Sequence, residues 1–223
     1  MNSLLLILSL ILFTTCQSET AMHTPTAQDT VIKAVIKKDL TAVAAALQHG
    51  ADVNMTDSQK KSLLLLATHN NDLKMAELLG AQGADVNQQD VLKDSPFLYA
   101  GASGYTELVK LYLENGARFD VFNRYNGSAL IPACERGHLE TVKLLANTKG
   151  FPIDHVNRLG WTALMEAVVL GDGSKAYVSV VQTLVDAGCN ISIPDKDGVT
   201  ALQHAKERGF TEIAEVLEKA SRK

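Results

Sequence analysis

The sequence predicts an all-α solenoid of about six stacked helix-turn-helix units, on three observations. The phrase GADVN at Gly50–Asn54 returns at Gly83–Asn87, 33 residues on, and a degenerate copy, GARFD, begins at Gly116, another 33 on. GFPID from Gly150 and GCNIS from Gly188 continue the series. A second phrase keeps step with it: SLLLLA from Ser62, SPFLYA from Ser95, SALIPA from Ser128, TALMEA from Thr162 and TALQHA from Thr200. The offset between the two is constant: Asn54 to Ser62, Asn87 to Ser95, Asp120 to Ser128, Asp154 to Thr162 and Ser192 to Thr200 are each eight residues apart. Third, the stretch between landmarks has the pattern of two short helices. In SALIPACERGHLETVKLLANTKG, Gly137 stops the first helix. Leu139, Val142, Leu144 and Leu145 then fall largely on one face of the second. One such pair cannot bury both apolar faces, and stacking of neighbours does.

Along the chain, residues 4–13 are almost all apolar, too few to span a bilayer, which takes about 20. The length fits the apolar region of a secretory signal, although Met1, Asn2 and Ser3 carry no positive charge. Residues 1–18 are therefore expected to be a signal peptide, 19–26 a polar tether, and 27–223 the repeat domain. Two fates of Cys16 are open. Phe13, Thr14, Thr15 and Cys16 resemble a lipoprotein signal, L-[AST]-[GA]-C, with departures at Phe13 and Thr15. Removal of 1–15 would then leave Cys16 acylated, and Gln17 behind it favours the outer membrane. An ordinary cut near Ser18 would discard Cys16.

The six units start near residues 26, 58, 91, 124, 158 and 196. The first has DTVIKA from Asp29 in place of the opening phrase, and the last ends in the charged EKASRK, as end units should. The fifth is longer by about five residues near Asp172–Ala176, predicted as a loop between its helices. This pattern resembles the ankyrin repeat, with its T-P-L-H-x-A phrase in a unit of about 33 residues. The resemblance covers residues 27 to about 220 and implies a solenoid with projecting β-turn fingers. The family's His is replaced by Leu65, Leu98, Ile131, Met165 and Gln203, so mostly apolar packing must tie the units together.

Composition narrows the function. The chain is 46% hydrophobic but 5% aromatic, with 21 basic and 25 acidic residues and a net charge of −4. A nucleic-acid binder would show a basic surplus. No phosphate loop, dinucleotide fingerprint, nucleophile elbow or H-E-x-x-H pattern occurs, and the histidines show no metal-ligand spacing, so no enzyme, metal or cofactor is expected. His138 is expected to help start a second helix. Cys134 and Cys189 occupy small apolar positions and are expected to be buried free thiols. The sequons at Asn54, Asn126 and Asn190 lie where turns want Asn in any case.

In the ankyrin family the fingers and first helices line a concave, partner-binding face. The fixed offset maps the fingers here to TDSQKKS, QDVLKDS, FNRYNGS, VNRLGWT and PDKDGVT. Asp57, Asp90, Asn123, Asn157 and Asp195 recur five residues before the Ser or Thr, as acceptors for turn amides. Units three to five carry Phe122, Arg124, Tyr125, Arg158, Leu159 and Trp161, with Tyr99 on the adjoining helix. Interface hot spots favour Trp, Tyr and Arg, and Trp161 is expected at a finger tip. The stretches NRYNGSALIPACERGHLE and NRLGWTALMEAVVLGDG are similar to those of small exported bacterial ankyrin proteins. That likeness implies a non-enzymatic binding module of the periplasm that holds a periplasmic or secreted enzyme or toxin, as an immunity protein or a scaffold. An effector secreted to capture host proteins is the alternative.

Overall fold

A computed structural model describes residues 26–222. The signal peptide, Cys16 and all but the last residue of the tether lie outside the described residues. Six helix pairs follow in order: α1 (Ala27–Ile36) and α2 (Leu40–Gln48); α3 (Leu63–His69) and α4 (Leu73–Ala81); α5 (Pro96–Ala102) and α6 (Thr106–Glu114); α7 (Leu130–Glu135) and α8 (Leu139–Ala146); α9 (Ala163–Val169) and α10 (Lys175–Asp186); α11 (Ala201–Glu207) and α12 (Thr211–Ala220). Among the described residues there is no strand, only one isolated bridge between Thr56 and Ser62.

Helices of six or seven residues are marginal alone, so their ends and faces must carry them. The opening Ser or Thr of each phrase supplies one end. Ser62 accepts from the Leu65 amide at 3.1 Å, Ser95 from Leu98 at 3.2 Å and Thr162 from Met165 at 3.2 Å. Ser128 departs from this: α7 begins only at Leu130, and the Ser128 hydroxyl is buried without a partner. Pro132 has no amide to donate to the Ser128 carbonyl, so the first turn opens there.

Stacking supplies the faces. Helices α1, α3, α5, α7, α9 and α11 pack in sequence as one layer, and α2, α4, α6, α8, α10 and α12 as the other. One apolar core runs from Val31 to Leu217. Leu65, Leu98, Ile131 and Met165, which replace the family histidine, are 0%, 4%, 4% and 1% exposed. Gln203 instead stays exposed and closes a capping box with Thr200.

His138 is the N-cap residue of α8, and its ring packs on Gly104, where an added Cβ would come within 2.6 Å of it. Cys134 and Cys189 are free, the first buried and the second half-buried. Burial pushes both thiols up, Cys189 to about 12. The extra residues of unit five are only partly a loop: Lys175 and Ala176 already belong to α10, which reaches 12 residues where α8 has 8. Asp172 turns the remaining loop by accepting from the Ser174 amide at 2.9 Å.

Candidate functional site

Each finger is built around one short acceptor. Oδ1 of Asp57, Asp90, Asn123, Asn157 and Asp195 takes the amides two and four residues ahead, at 2.8–3.1 Å. The amide of the same residue donates to the carbonyl four ahead, at 2.9–3.0 Å in all five. The turn therefore closes on itself, and the two residues after the anchor are pushed outward.

Fingers also brace each other. The Val91 amide donates to the Gln59 carbonyl at 3.1 Å and the Arg158 amide to the Tyr125 carbonyl at 2.9 Å. Gln89 Nε2 donates to the Phe122 carbonyl at 2.8 Å. Phe122 lies flat on His155, with centroids 4.1 Å apart at 6°. His155 Nε2 faces the Asn126 carbonyl at 2.7 Å, so that nitrogen carries the proton.

Because the fingers share a register, their second position forms a row: Gln59, Leu92, Tyr125, Leu159 and Asp197. The middle three are apolar or aromatic and 51%, 56% and 51% exposed. Beside them opens a groove of about 470 Å³, lined by Tyr99, Arg124, Tyr125 and Leu159 together with Glu135, Glu166 and Leu170. Four of the seven residues expected to bind a partner therefore meet in one concavity. Phe122, Arg158 and Trp161 do not line it. Phe122 is held in the stack on His155. Trp161 is not at a tip, because its carbonyl and amide close the base of the finger on Asn157, and its ring packs half-buried on the core. Leu92, Leu170 and the two glutamates are additions. Leu92 was readable from its register with Tyr125 and Leu159.

The groove's electrostatics are uneven. Arg124 Nη1 is 3.7 Å from Asp94 Oδ2, and the guanidinium lies 5.0 Å from the Tyr125 ring centroid. Burial and the charge of Asp90 push Asp94 up, which Arg124 offsets in part. Tyr99 packs on His69 with centroids 4.1 Å apart, and burial holds His69 below its ordinary value. At the other end, Asn157 Nδ2 donates to Glu166 Oε1 at 2.8 Å. Burial, and then the charge of Glu135, push the Glu166 carboxyl up to about 7. Among the described residues no group of three or more His, Cys, Asp or Glu is placed to hold a metal ion.

Two ankyrin-repeat family models match, one of three copies over residues 97–195 and one of many copies over 31–79. An ankyrin repeat domain from Acinetobacter baumannii AYE is 43% identical, with a TM-score of 0.83 over 86% of this chain and 97% of that one. The ankyrin repeat protein YahD of Escherichia coli (strain K12) is 45% identical over 74 residues, which span 33% of this chain and 36% of YahD. A chain in the complex of the predatory endopeptidase Bd0816 from Bdellovibrio bacteriovorus with immunity protein Bd3460 is 21% identical, with a TM-score of 0.70 over 85% of this chain and 97% of that one. The chain belongs to the ankyrin-repeat family, whose fold is a protein-interaction scaffold.

Proposed function

We propose that this chain is a non-enzymatic module that holds one protein partner against the fingers of units three to five. The exposed row Leu92, Tyr125 and Leu159 beside a groove of about 470 Å³ carries this reading. Exposed apolar side chains in register, next to a concavity, are what a partner would desolvate. Replacing Tyr125 and Leu159 by Ala together leaves the fold intact, because neither side chain is in the core. In a capture from envelope extract, one protein retained by the wild type is lost with this double variant. Undiminished capture would overturn the reading.

The module is further proposed to work in the bacterial periplasm on a periplasmic or secreted enzyme or toxin, as an immunity protein or a scaffold. The apolar run 4–13 supports export, and Cys16 at its end supports an outer-membrane lipid anchor. The immunity role draws on the endopeptidase–immunity protein complex, to which the likeness is one of fold. Feeding cells a palmitate analogue labels the wild type and not Cys16→Ser. No label on the wild type removes the anchor.

A further inference from the structure

On the docking reading proposed above, we infer that the groove of units three to five recognises a partner loop presenting a lysine or arginine framed by apolar residues, with the cation seated against Glu135 and Glu166. The charges of the groove do not balance. Its lining holds Arg124 and Arg136 against Asp94, Glu135 and Glu166. One cation is paired with an acid, and the other is turned toward a helix end. Arg124 pairs with Asp94 and covers Tyr125. Arg136 Nη1 donates to the Ala102 carbonyl at 2.6 Å, satisfying the end of α5.

Neither Glu135 nor Glu166 meets a cation among the described residues. Glu166 is 5% exposed, and among the described residues only its Oε1 is hydrogen-bonded. Among the described residues the carboxylate of Glu135 meets no hydrogen-bond donor; only its backbone carbonyl accepts one, from Tyr177. A buried carboxylate without a counter-charge is costly, and an incoming cation offsets that cost. Unit six shows the internally satisfied alternative. There the same helix position carries His204, whose Nε2 lies 2.7 Å from the finger anchor Asp195. Unit five has Asn157 as its anchor, which donates one N–H to Glu166 but no charge.

The rim fits the same occupant. Tyr125, Leu159 and Leu170 are 56%, 51% and 48% exposed around the two carboxylates. Lysine and arginine carry an apolar stem beneath a charged head, which matches an apolar rim over an acidic floor. An acidic loop would bring a further negative charge to a floor that already holds Glu135 and Glu166.

A phage-displayed library of disulfide-closed heptapeptides, selected on the immobilised full chain, tests this. Peptides from the wild type are expected to converge on one basic residue flanked by apolar ones. Their affinity falls about tenfold on the isosteric double variant Glu135→Gln, Glu166→Gln. Replacing the peptide's arginine by neutral citrulline costs the same on the wild type and nothing further on the Gln variant. Wild-type peptides without a basic residue, or equal affinity for wild type and Gln variant, overturn the inference. Loss on Tyr125→Ala, Leu159→Ala with equal binding to the Gln variant leaves the docking face standing and removes only its charge preference. Equal binding to all three proteins sinks the docking face as well.

Discussion

Glu166 occupies a position that the repeat phrase leaves free, and its neighbours decide its chemistry. Its carboxyl is pushed up from 4.5 to about 7, first by burial and then by Glu135. Between those values the folded chain keeps a proton that the unfolded chain has released. Stability therefore falls as pH rises through that window, by about 1–3 kcal/mol in all. Glu166→Gln keeps an acceptor for Asn157 Nδ2 and cannot titrate. Urea midpoints measured at about pH 5 and about pH 8 should converge between variant and wild type at the lower pH and favour the variant at the higher. Parallel pH profiles for the two proteins would show that Glu166 carries no such load. The five finger anchors are the opposite case. Their turn-closing bonds reach only two and four residues ahead, so the residue type and its interval were enough to read them. Glu166 depends on its burial and on the charge of Glu135, one unit back, and no interval within its own phrase announces either.

At the scale of elements, the long fifth unit separates what the repeat dictates from what packing adds. The sequence showed the extra residues but not that they would lengthen α10 and brace two neighbours. Tyr177, in the first turn of α10, donates its hydroxyl to the Glu135 carbonyl at 2.7 Å, tying unit five to unit four. Gly173 tucks beneath the Phe210 ring, tying it to unit six. A Cβ on Gly173 would lie 2.4 Å from that ring, and its φ is +74°. Gly188, which ends α10, has φ +85° but open space around it. Gly188→Ala thus meets only the backbone penalty, about 1 kcal/mol. Gly173→Ala must displace Phe210 as well and should cost about 1–3 kcal/mol more. Equal shifts in the urea midpoint of the two variants would mean that the loop does not bear on unit six. Trp161 teaches the same lesson. Its phrase position was legible, but whether it tipped or closed the finger depended on the anchor's bond to its amide.

Across the whole molecule, a solenoid has two kinds of unit, and stability follows from how many faces each one shares. Central units pack on both sides: α3 buries every residue from Leu63 to Thr68, and α9 every residue from Ala163 to Val168. The first unit packs on one side only. Helix α1 buries Val31 and Val35, α2 buries Val43 alone, and Ile36 is 53% exposed. At the other end α12 buries three residues, Ile213, Ala214 and Leu217, and α11 two. Nearest-neighbour energetics then predict fraying from the ends, deeper at the first unit. Native-state hydrogen exchange should find the amides of α1 and α2 opening with the lowest free energy, α11 and α12 next, and α5 to α9 close to global unfolding. The fingers of units three to five stand on that best-protected stretch. A docking face gains from such support, because a partner then spends little of its binding free energy on ordering the surface it meets. If exchange were uniform from α1 to α12, the chain would unfold as one block, and the central placement of the groove would confer no rigidity on it.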